Sequence, residues 1–175
     1  MGEAIVGGLI GASEGVAAPL RAENFTVANP GEERRAYLED RYGVSCIADG
    51  REAHAADVVI LAVKPQVMMG VLADLSAVAA YQGGARGSLF VSIAAGLTTA
   101  TLEAALPEGS RLVRAMPNTP LLVSEGATAV TRGAHATDED LAYARDLFAC
   151  LGFSCVVEER DMDAVGAVSG SGPAY

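Results

Sequence analysis

The chain has 175 residues, and 51% of them are hydrophobic, so it is long enough for one domain with a sizeable core and too apolar to be disordered. Its net charge is −10 and its 12 basic residues are scattered, which argues against a nucleic-acid partner. The start of the chain does not resemble a basic and apolar leader, and the sequence contains no uninterrupted apolar run of about 18 residues, so we expect a cytoplasmic protein that does not insert into a membrane.

The first part of the chain predicts a helix, a strand, a helix and a strand in turn. Residues 2–14 read as a small-residue helix whose glycines allow close packing, and residues 25–29 as a short strand. A proline opens the next predicted helix, over 30–42, and Gly43 is placed to end it in the left-handed conformation. Residues 44–48 form a second, weaker strand pattern.

The segment 57–66 has the clearest pattern in the chain. Its β-branched run, 57–63, is apolar on both faces, as in a strand buried in a parallel sheet. The run ends at Lys64, the only lysine in the sequence, and Pro65 then supplies a backbone angle suited to the first turn of a helix. Because ligands of open α/β sheets bind beyond the carboxyl ends of strands, this segment indicates a site as well as a fold.

The middle of the chain continues the alternation. Apolar residues at helical spacing over 67–78 predict a helix that stops at the glycine-rich turn 83–87. Residues 88–94 and 111–116 predict two strands, the second closed by a proline. Between them a helix is predicted, with either Thr98 or Thr99 as its cap.

The last third predicts two strands with a helix between them. The strands are 127–131 and 154–158, and the helix is 138–151, with Thr137 as its cap and Gly152 as its stop. Strands separated by helices at this spacing are typical of βαβ units, so we predict an α/β fold with a doubly wound, Rossmann-like parallel sheet.

The residue patterns at both ends of the sequence are those of truncated elements. A doubly wound sheet normally starts with a strand and a glycine turn, whereas this chain starts inside a predicted helix. At the other end, the apolar helical pattern over 161–168 runs into 169–175, Ser-Gly-Ser-Gly-Pro-Ala-Tyr. We therefore expect a fragment without its first strand, with a dinucleotide-binding domain over 1–160 and the start of a helical domain over 161–175.

Two candidate nucleotide contacts precede the clear strand. Gly2 fits the third glycine of a Gly-x-Gly-x-x-Gly turn, although an ordinary terminal glycine explains it as well. Asn29 ends the second strand of such a sheet, where an uncharged residue tolerates a 2′-phosphate; a turn residue before Pro30 is an equally good interpretation. Arg34 and Arg35 lie one turn further on and could approach a phosphate, but Glu32 and Glu33 oppose them.

Three more strand ends carry candidate residues. Lys64 suits the phosphates or the ribose of a nucleotide, against the alternative of a solvated lysine. Residues 92–96, Ser-Ile-Ala-Ala-Gly, are mostly small, so a flat ligand could approach their backbone. The alternative is that they form only a tight turn. Residues 116–120, Met-Pro-Asn-Thr-Pro, form a rigid loop with one amide and one hydroxyl, which suits a substrate rim or a plain connector.

The sequence offers no pattern for nucleophilic or metal catalysis. Its three cysteines, Cys46, Cys150 and Cys155, form no Cys-x-x-Cys pair and are interpreted as reduced, partly buried side chains. His54 and His135 have neither ligand spacing nor the partners of a triad, and we expect both at the surface.

Taken together, the strand ends resemble pyrroline-5-carboxylate reductase, the enzyme of the last step of proline biosynthesis. The resemblance runs through the whole chain in order. It is carried by Met-Gly-Glu-Ala-Ile at 1–5, Asp-Val-Val-Ile-Leu-Ala-Val-Lys-Pro at 57–65, Val-Ser-Ile-Ala-Ala-Gly at 91–96, Arg-Ala-Met-Pro-Asn-Thr-Pro at 114–120, Glu-Gly at 125–126 and Val-Ser-Gly-Ser-Gly-Pro-Ala-Tyr at 168–175.

The resemblance implies an enzyme that uses NADPH or NADH to reduce 1-pyrroline-5-carboxylate to L-proline, and a helical domain through which the protein forms a dimer-based oligomer. It implies a cofactor floor made of Gly2, Asn29, Ala62, Val63, Lys64, Pro65, Ala94, Ala95 and Gly96. Met116, Asn118 and Thr119 are implied as part of the substrate rim. No catalytic residue is assigned, because the residues expected to bind the imine acid lie mainly in the helical domain.

Two other functions stay open at this stage. A related reductase of the hydroxyacid-dehydrogenase type would share the fold, with a catalytic lysine beyond residue 175. A non-catalytic module that binds a nucleotide would share the fold and the crevice without turnover.

Overall fold

The computed structural model describes residues 1–12, 20–82 and 87–174, and in these ranges helices alternate with strands. The helices are α1 (Gly2–Gly11), α2 (Glu32–Tyr42), α3 (Pro65–Gln82), α4 (Thr99–Glu103), α5 (Asp138–Ala149) and α6 (Met162–Val165). The strands are β1 (Thr26–Ala28), β2 (Ser45–Ile47), β3 (Val58–Leu61), β4 (Leu89–Ser92), β5 (Arg111–Pro117), β6 (Gly126–Arg132) and β7 (Gly152–Val156). None of the helices within these ranges is both long and apolar enough to cross a membrane. The predicted end of the first helix near residue 14 and the predicted turn over 83–86 lie outside the described residues.

The strands form one five-stranded sheet and one parallel pair. The sheet has the order β3-β4-β5-β6-β7, and the described part of β1 pairs only with β2. The Rossmann-like α/β class is thereby confirmed. The sheet is mostly parallel, as predicted, and β5 and β6 are its one antiparallel pair within the described residues. The connection over 118–125 is shorter than the dozen or so residues that a parallel crossover needs, so the chain must reverse there.

The sheet is covered on both faces, which explains its doubly apolar strands. One face packs against α1 and α5, through a core that includes Ile5, Val91, Val113 and Phe148. The other face packs against α3 and α4, through Met68, Leu72, Phe90, Leu102 and Leu112. Neighbouring strand residues alternate between these two cores because side chains along a strand point to opposite faces.

Hydrogen bonds from the backbone to single side chains explain where two of the helices begin. The helix predicted from residue 30 begins at Glu32, because the Asn29 side-chain oxygen accepts a hydrogen bond of 2.9 Å from the Gly31 amide and holds a turn there. Of the two threonines proposed to cap α4, Thr98 is the cap, since its side chain accepts a bond of 3.2 Å from the Thr101 amide.

Two of the other predicted ends are confirmed. Gly43 ends α2 with φ 68°. Thr137 caps α5 in a reciprocal pair of hydrogen bonds with Asp140.

Gly152 does not stop a helix as predicted but is the first residue of β7. Its φ is 133°, and a Cβ placed on it would lie 2.2 Å from the carbonyl oxygen of Gly126 in β6. The strand predicted over 154–158 is therefore shifted to 152–156, since pairing with β6 begins at this close backbone contact.

The segment after residue 160 packs onto the sheet near the end of β5. Met162 in α6 is fully buried and shares a small core with Met116 and Ala129. The following residues, Gly166–Gly170, form a wider helical turn of the π type. This segment thereby forms a wall above the carboxyl end of β5.

Candidate functional site

A cavity of about 580 Å³ lies where the ends of β4 and β5 meet the segment after residue 160. Five of the residues predicted for the site line it: Ala95, Gly96, Met116, Asn118 and Thr119. Ile93 and Pro117, from the candidate segments 92–96 and 116–120, line it as well. Its other described lining residues are Met1, Asp163, Gly166 and Gly170, which the sequence analysis did not propose as site residues. The loop after β5 and the small-residue end of β4 are therefore brought together as predicted.

The start of α1 lies directly against the end of β3. A Cβ added to Gly2 would be 3.1 Å from the Cβ of Ala62, closer than side chains normally approach. Gly96 has φ 75°, and no atom lies within 4 Å of the position that its Cβ would take. The missing side chain thus lets α1 pack closely against the end of β3 at Gly2, and it leaves open space at Gly96.

The other predicted floor residues have different surroundings. The Ala94 side chain is buried, and its amide donates to Ser92 Oγ at 3.3 Å. Val63 packs against the same core as Ala94, and Pro65 is the first residue of α3. Lys64 is exposed, and it is not among the residues that line the cavity. Its carbonyl accepts from the Val67 amide at 3.1 Å, so its backbone caps α3 while its side chain extends into solvent.

Asn29 and the two arginines after it form a compact turn away from the cavity. The carbonyls of Asn29 and Pro30 each accept a bond of 2.9 Å from Arg35. Arg34 forms an ion pair with Glu3, from the first turn of α1. Both guanidinium groups are therefore engaged with the protein in this structure.

Glu3 is the centre of a polar cluster between α1 and α2. Besides Arg34, the hydroxyls of Tyr37 and Tyr42 donate to its carboxylate at 3.1 and 3.0 Å. The bond from Arg34 is the largest cause that lowers the pKa of Glu3 below its usual value, and the two tyrosines act in the same direction. The same contact with Glu3 raises the pKa of Tyr37.

The amide of Asn118 is used within the protein. Its oxygen accepts from the Ala127 amide at 2.8 Å, and its nitrogen donates to Ser169 Oγ at 3.2 Å. Asn118 therefore ties the loop after β5 both to β6 and to the C-terminal segment. The Thr119 hydroxyl is exposed and makes no hydrogen bond within the described residues.

Arg114 is a buried charge that the sequence reasoning passed over. Its side chain is 1% exposed, and it forms ion pairs with Glu159 at 2.8 Å and with Asp163 at 3.1 Å. Glu159 also accepts from the Thr99 amide at 3.3 Å. A charged residue inside the otherwise apolar strand pattern 111–116 is the signal by which it could have been found.

Metal ligands do not cluster in the described ranges, where no group of three or more His, Cys, Asp or Glu side chains is arranged to hold an ion. Cys46, Cys150 and Cys155 are free and half-buried. Burial raises the pKa of the Cys46 and Cys150 thiols, which disfavours the reactive thiolate.

Sequence comparison places the chain among known reductases. The family of NADP oxidoreductases termed coenzyme F420-dependent matches residues 1–96. The pyrroline-5-carboxylate reductase of Corynebacterium melassecola is 41% identical over the whole chain, and that of Escherichia coli strain K12 is 39% identical. In both cases the chain spans 62% of the relative's length.

Solved structures agree with the fold. A pyrroline-5-carboxylate reductase from Coxiella burnetii superposes with a TM-score of 0.86 at 32% identity, covering 99% of this chain and 62% of that one. The Plasmodium falciparum pyrroline carboxylate reductase with NADP bound gives 0.83 at 28% identity, covering 100% and 60%. Prephenate dehydrogenase from A. aeolicus shares the fold alone, with a TM-score of 0.73 at 12% identity and coverage of 95% and 59%.

The similarity to pyrroline-5-carboxylate reductases that the motifs indicated is thus confirmed along the whole chain. From the match over residues 1–96, the chain belongs to the family of NADP oxidoreductases termed coenzyme F420-dependent.

Proposed function

We propose that this chain is the nucleotide-binding part of a pyrroline-5-carboxylate reductase, which reduces 1-pyrroline-5-carboxylate to L-proline with NADPH or NADH. The observation that carries the proposal is the cavity at the ends of β4 and β5, which is lined by residues of two of the motifs that carry the resemblance, 91–96 and 114–120. The family description names coenzyme F420, whereas the relatives that match over the whole chain are pyrroline-5-carboxylate reductases. The proposed reaction follows those relatives.

The residues present fit a dinucleotide. The close contact of Gly2 with Ala62 is the helix-to-strand packing that such a fold needs beside the pyrophosphate, and the open space over Gly96 admits a flat ring. Gly2, the β3 end over 62–65 and the β4 end over 94–96 would hold the group. When bound, a reduced nicotinamide would supply a hydride to the carbon of the protonated imine; the C=N electron pair would then pass to nitrogen, giving L-proline and the oxidised nucleotide.

The protein's own contribution is positioning. Ile93, Met116 and Pro117 give the cavity an apolar wall against which a flat ring can pack. The bonds of Asn118 to Ala127 and Ser169 fix the loop that forms the rim. Neither a nucleophile nor a metal is needed for the reaction, which requires only that two bound molecules meet in the correct orientation.

The finer assignments belong to the same proposal. Asn29 brings no negative charge to the end of β1 and Arg34 lies nearby, which favours NADPH, with NADH as the alternative. We place the nucleotide-binding domain at 1–160 and the start of a helical, dimer-forming domain at 161–175. The protein would act in the cytoplasm on a small-molecule substrate, away from nucleic acids and membranes.

The test is a reductase assay on the protein as its gene encodes it, following nucleotide oxidation in the presence of the imine acid. We expect oxidation of NADPH or NADH that depends on the imine acid and yields L-proline. Nucleotide binding without turnover would favour a binding module, and turnover of a hydroxyacid only would favour the other reductase type.

Two glycine variants connect the assay to the site. Gly2→Val forces α1 away from Ala62 and is expected to weaken nucleotide binding at least about tenfold in a titration. Gly11→Val is the matched control at the other end of α1, where an added Cβ meets no atom of the described residues within 4 Å. Equal nucleotide affinity in the two variants would contradict the proposed position of the cofactor.

A further inference from the structure

Asp163 has the only ionisable side chain among the described residues that line the cavity. The other lining side chains are apolar, small or neutral, so this carboxylate is the one charged side chain among them. Asp163 lies in α6, on the side of the cavity opposite the strand ends, and its side chain is 80% exposed. An exposed carboxylate at the rim of an apolar cavity is a ready partner for a cationic ligand group.

Arg114 holds this carboxylate in place without neutralising the cluster. The buried guanidinium contributes one positive charge, while Glu159 and Asp163 contribute two negative charges. One negative charge is left over. Each carboxylate has one oxygen that makes no hydrogen bond with the described residues, but that of Glu159 is buried, whereas Asp163 is exposed and lines the cavity, so Asp163 is the carboxylate that a ligand can reach.

We propose that Asp163 binds the protonated ring nitrogen of the substrate, and that Arg114 is the positioning residue that aims it. The inference rests on the proposed function. An imine accepts a hydride readily only when its nitrogen is protonated, so the bound ring carries a positive charge. An apolar cavity disfavours such a charge unless a carboxylate accompanies it. Asp163 therefore selects the reactive, cationic form and orients its nitrogen towards α6.

Two ligands of similar shape, one with a charged and one with a neutral ring atom, separate the effect of this charge contact from the effect of ligand shape. L-Proline has a charged ring nitrogen, and tetrahydrofuran-2-carboxylate replaces that nitrogen by a neutral ether oxygen. Binding of both is measured by calorimetry on the protein as its gene encodes it. We expect the wild type to bind L-proline more tightly, and Asp163→Asn to weaken L-proline about tenfold while leaving the ether ligand unchanged.

Three further variants complete the test. Asp161→Asn removes the same charge two residues away, outside the cavity lining, and should change neither affinity. Asp163→Glu should retain most of the preference for L-proline. Arg114→Lys should reduce that preference with no change for the ether ligand. The two guanidinium nitrogens of Arg114 bond to Glu159 and Asp163, and a lysine has only one nitrogen to hold both carboxylates.

Failure of the inference differs from failure of the proposed function. An Asp163→Asn protein that keeps the wild-type ratio of the two affinities would overturn the role of Asp163. An unchanged ratio in Arg114→Lys would overturn the positioning role. A wild type that reduces no imine acid would instead overturn the proposed function.

Discussion

Glu3 shows how a single carboxylate joins two helices that sequence patterns treat separately. It accepts from Arg34, Tyr37 and Tyr42 of α2, so α1 and α2 are held together at the end where α1 meets β3. The sequence placed Arg34 near a phosphate site but gave no sign of this partner, because the two residues are 31 positions apart. Contacts between distant helix faces depend on how the helices pack.

The ionised form of Glu3 is favoured by these contacts, so its effect on stability depends on pH. Since the folded-state pKa is lowered, the contribution is present above the unfolded value near 4.5 and is lost as the pH falls through the folded-state pKa. We expect Glu3→Gln to lower the free energy of unfolding by about 1 kcal/mol at pH 7. The difference from the wild type should disappear in urea unfolding below the folded-state pKa.

Glu33→Gln is the control for this measurement. Glu33 also lies in the first turn of a helix, is exposed, and has no hydrogen-bond partner for its side chain within the described residues. A loss of stability at pH 7 that is equal in the two variants would show that net charge, and not the cluster around Glu3, is responsible.

At the scale of elements, the sequence predicted the type of each element better than its ends. Apolar periodicity identified the strands around Val59, Phe90 and Val113, because a strand covered by helices on both faces must be apolar throughout. The ends were set by hydrogen bonds of individual side chains, such as that of Asn29 at the start of α2. Local composition does not determine these bonds uniquely.

Gly152 and Gly70 provide a matched pair at this scale. Gly152 combines φ 133° with a close contact to the Gly126 backbone, so Gly152→Ala should cost more than about 3 kcal/mol of unfolding free energy. Gly70 lies inside α3 with no atom within 4 Å of the position that an added methyl group would take, so Gly70→Ala should stabilise by about 0.5–1 kcal/mol. Urea unfolding of both variants measures the difference. Similar effects at the two positions would contradict the strand assignment of Gly152.

At the scale of the whole molecule, the two groups of strands differ in their support. The β1 and β2 pair consists of short strands without a fully buried residue, whereas every residue of β4 is buried between two hydrogen-bonded neighbours. Both groups share a core with α1, since Phe25 and Val58 pack against the same cluster as Ile5. The pair is therefore held mainly by helix packing.

This difference predicts separate local stabilities in native-state hydrogen exchange. Amides of β1 and β2 should exchange through openings of lower free energy than amides of β4 and β5, because fewer buried contacts must break. Both groups are measured in the same sample, so β4 serves as the internal reference. Equal protection of the two groups would contradict the separation of the strands.

The sequence by itself determined the α/β class, the strand-end motifs and the resemblance to a reductase family, because buried strands and glycine turns impose local residue patterns. Only the tertiary structure decided that Asn118 bonds to Ser169 and that Asp163, which is paired with Arg114, lines the cavity. These features join residues far apart in the chain. They depend on the packing of whole elements, which no local pattern encodes.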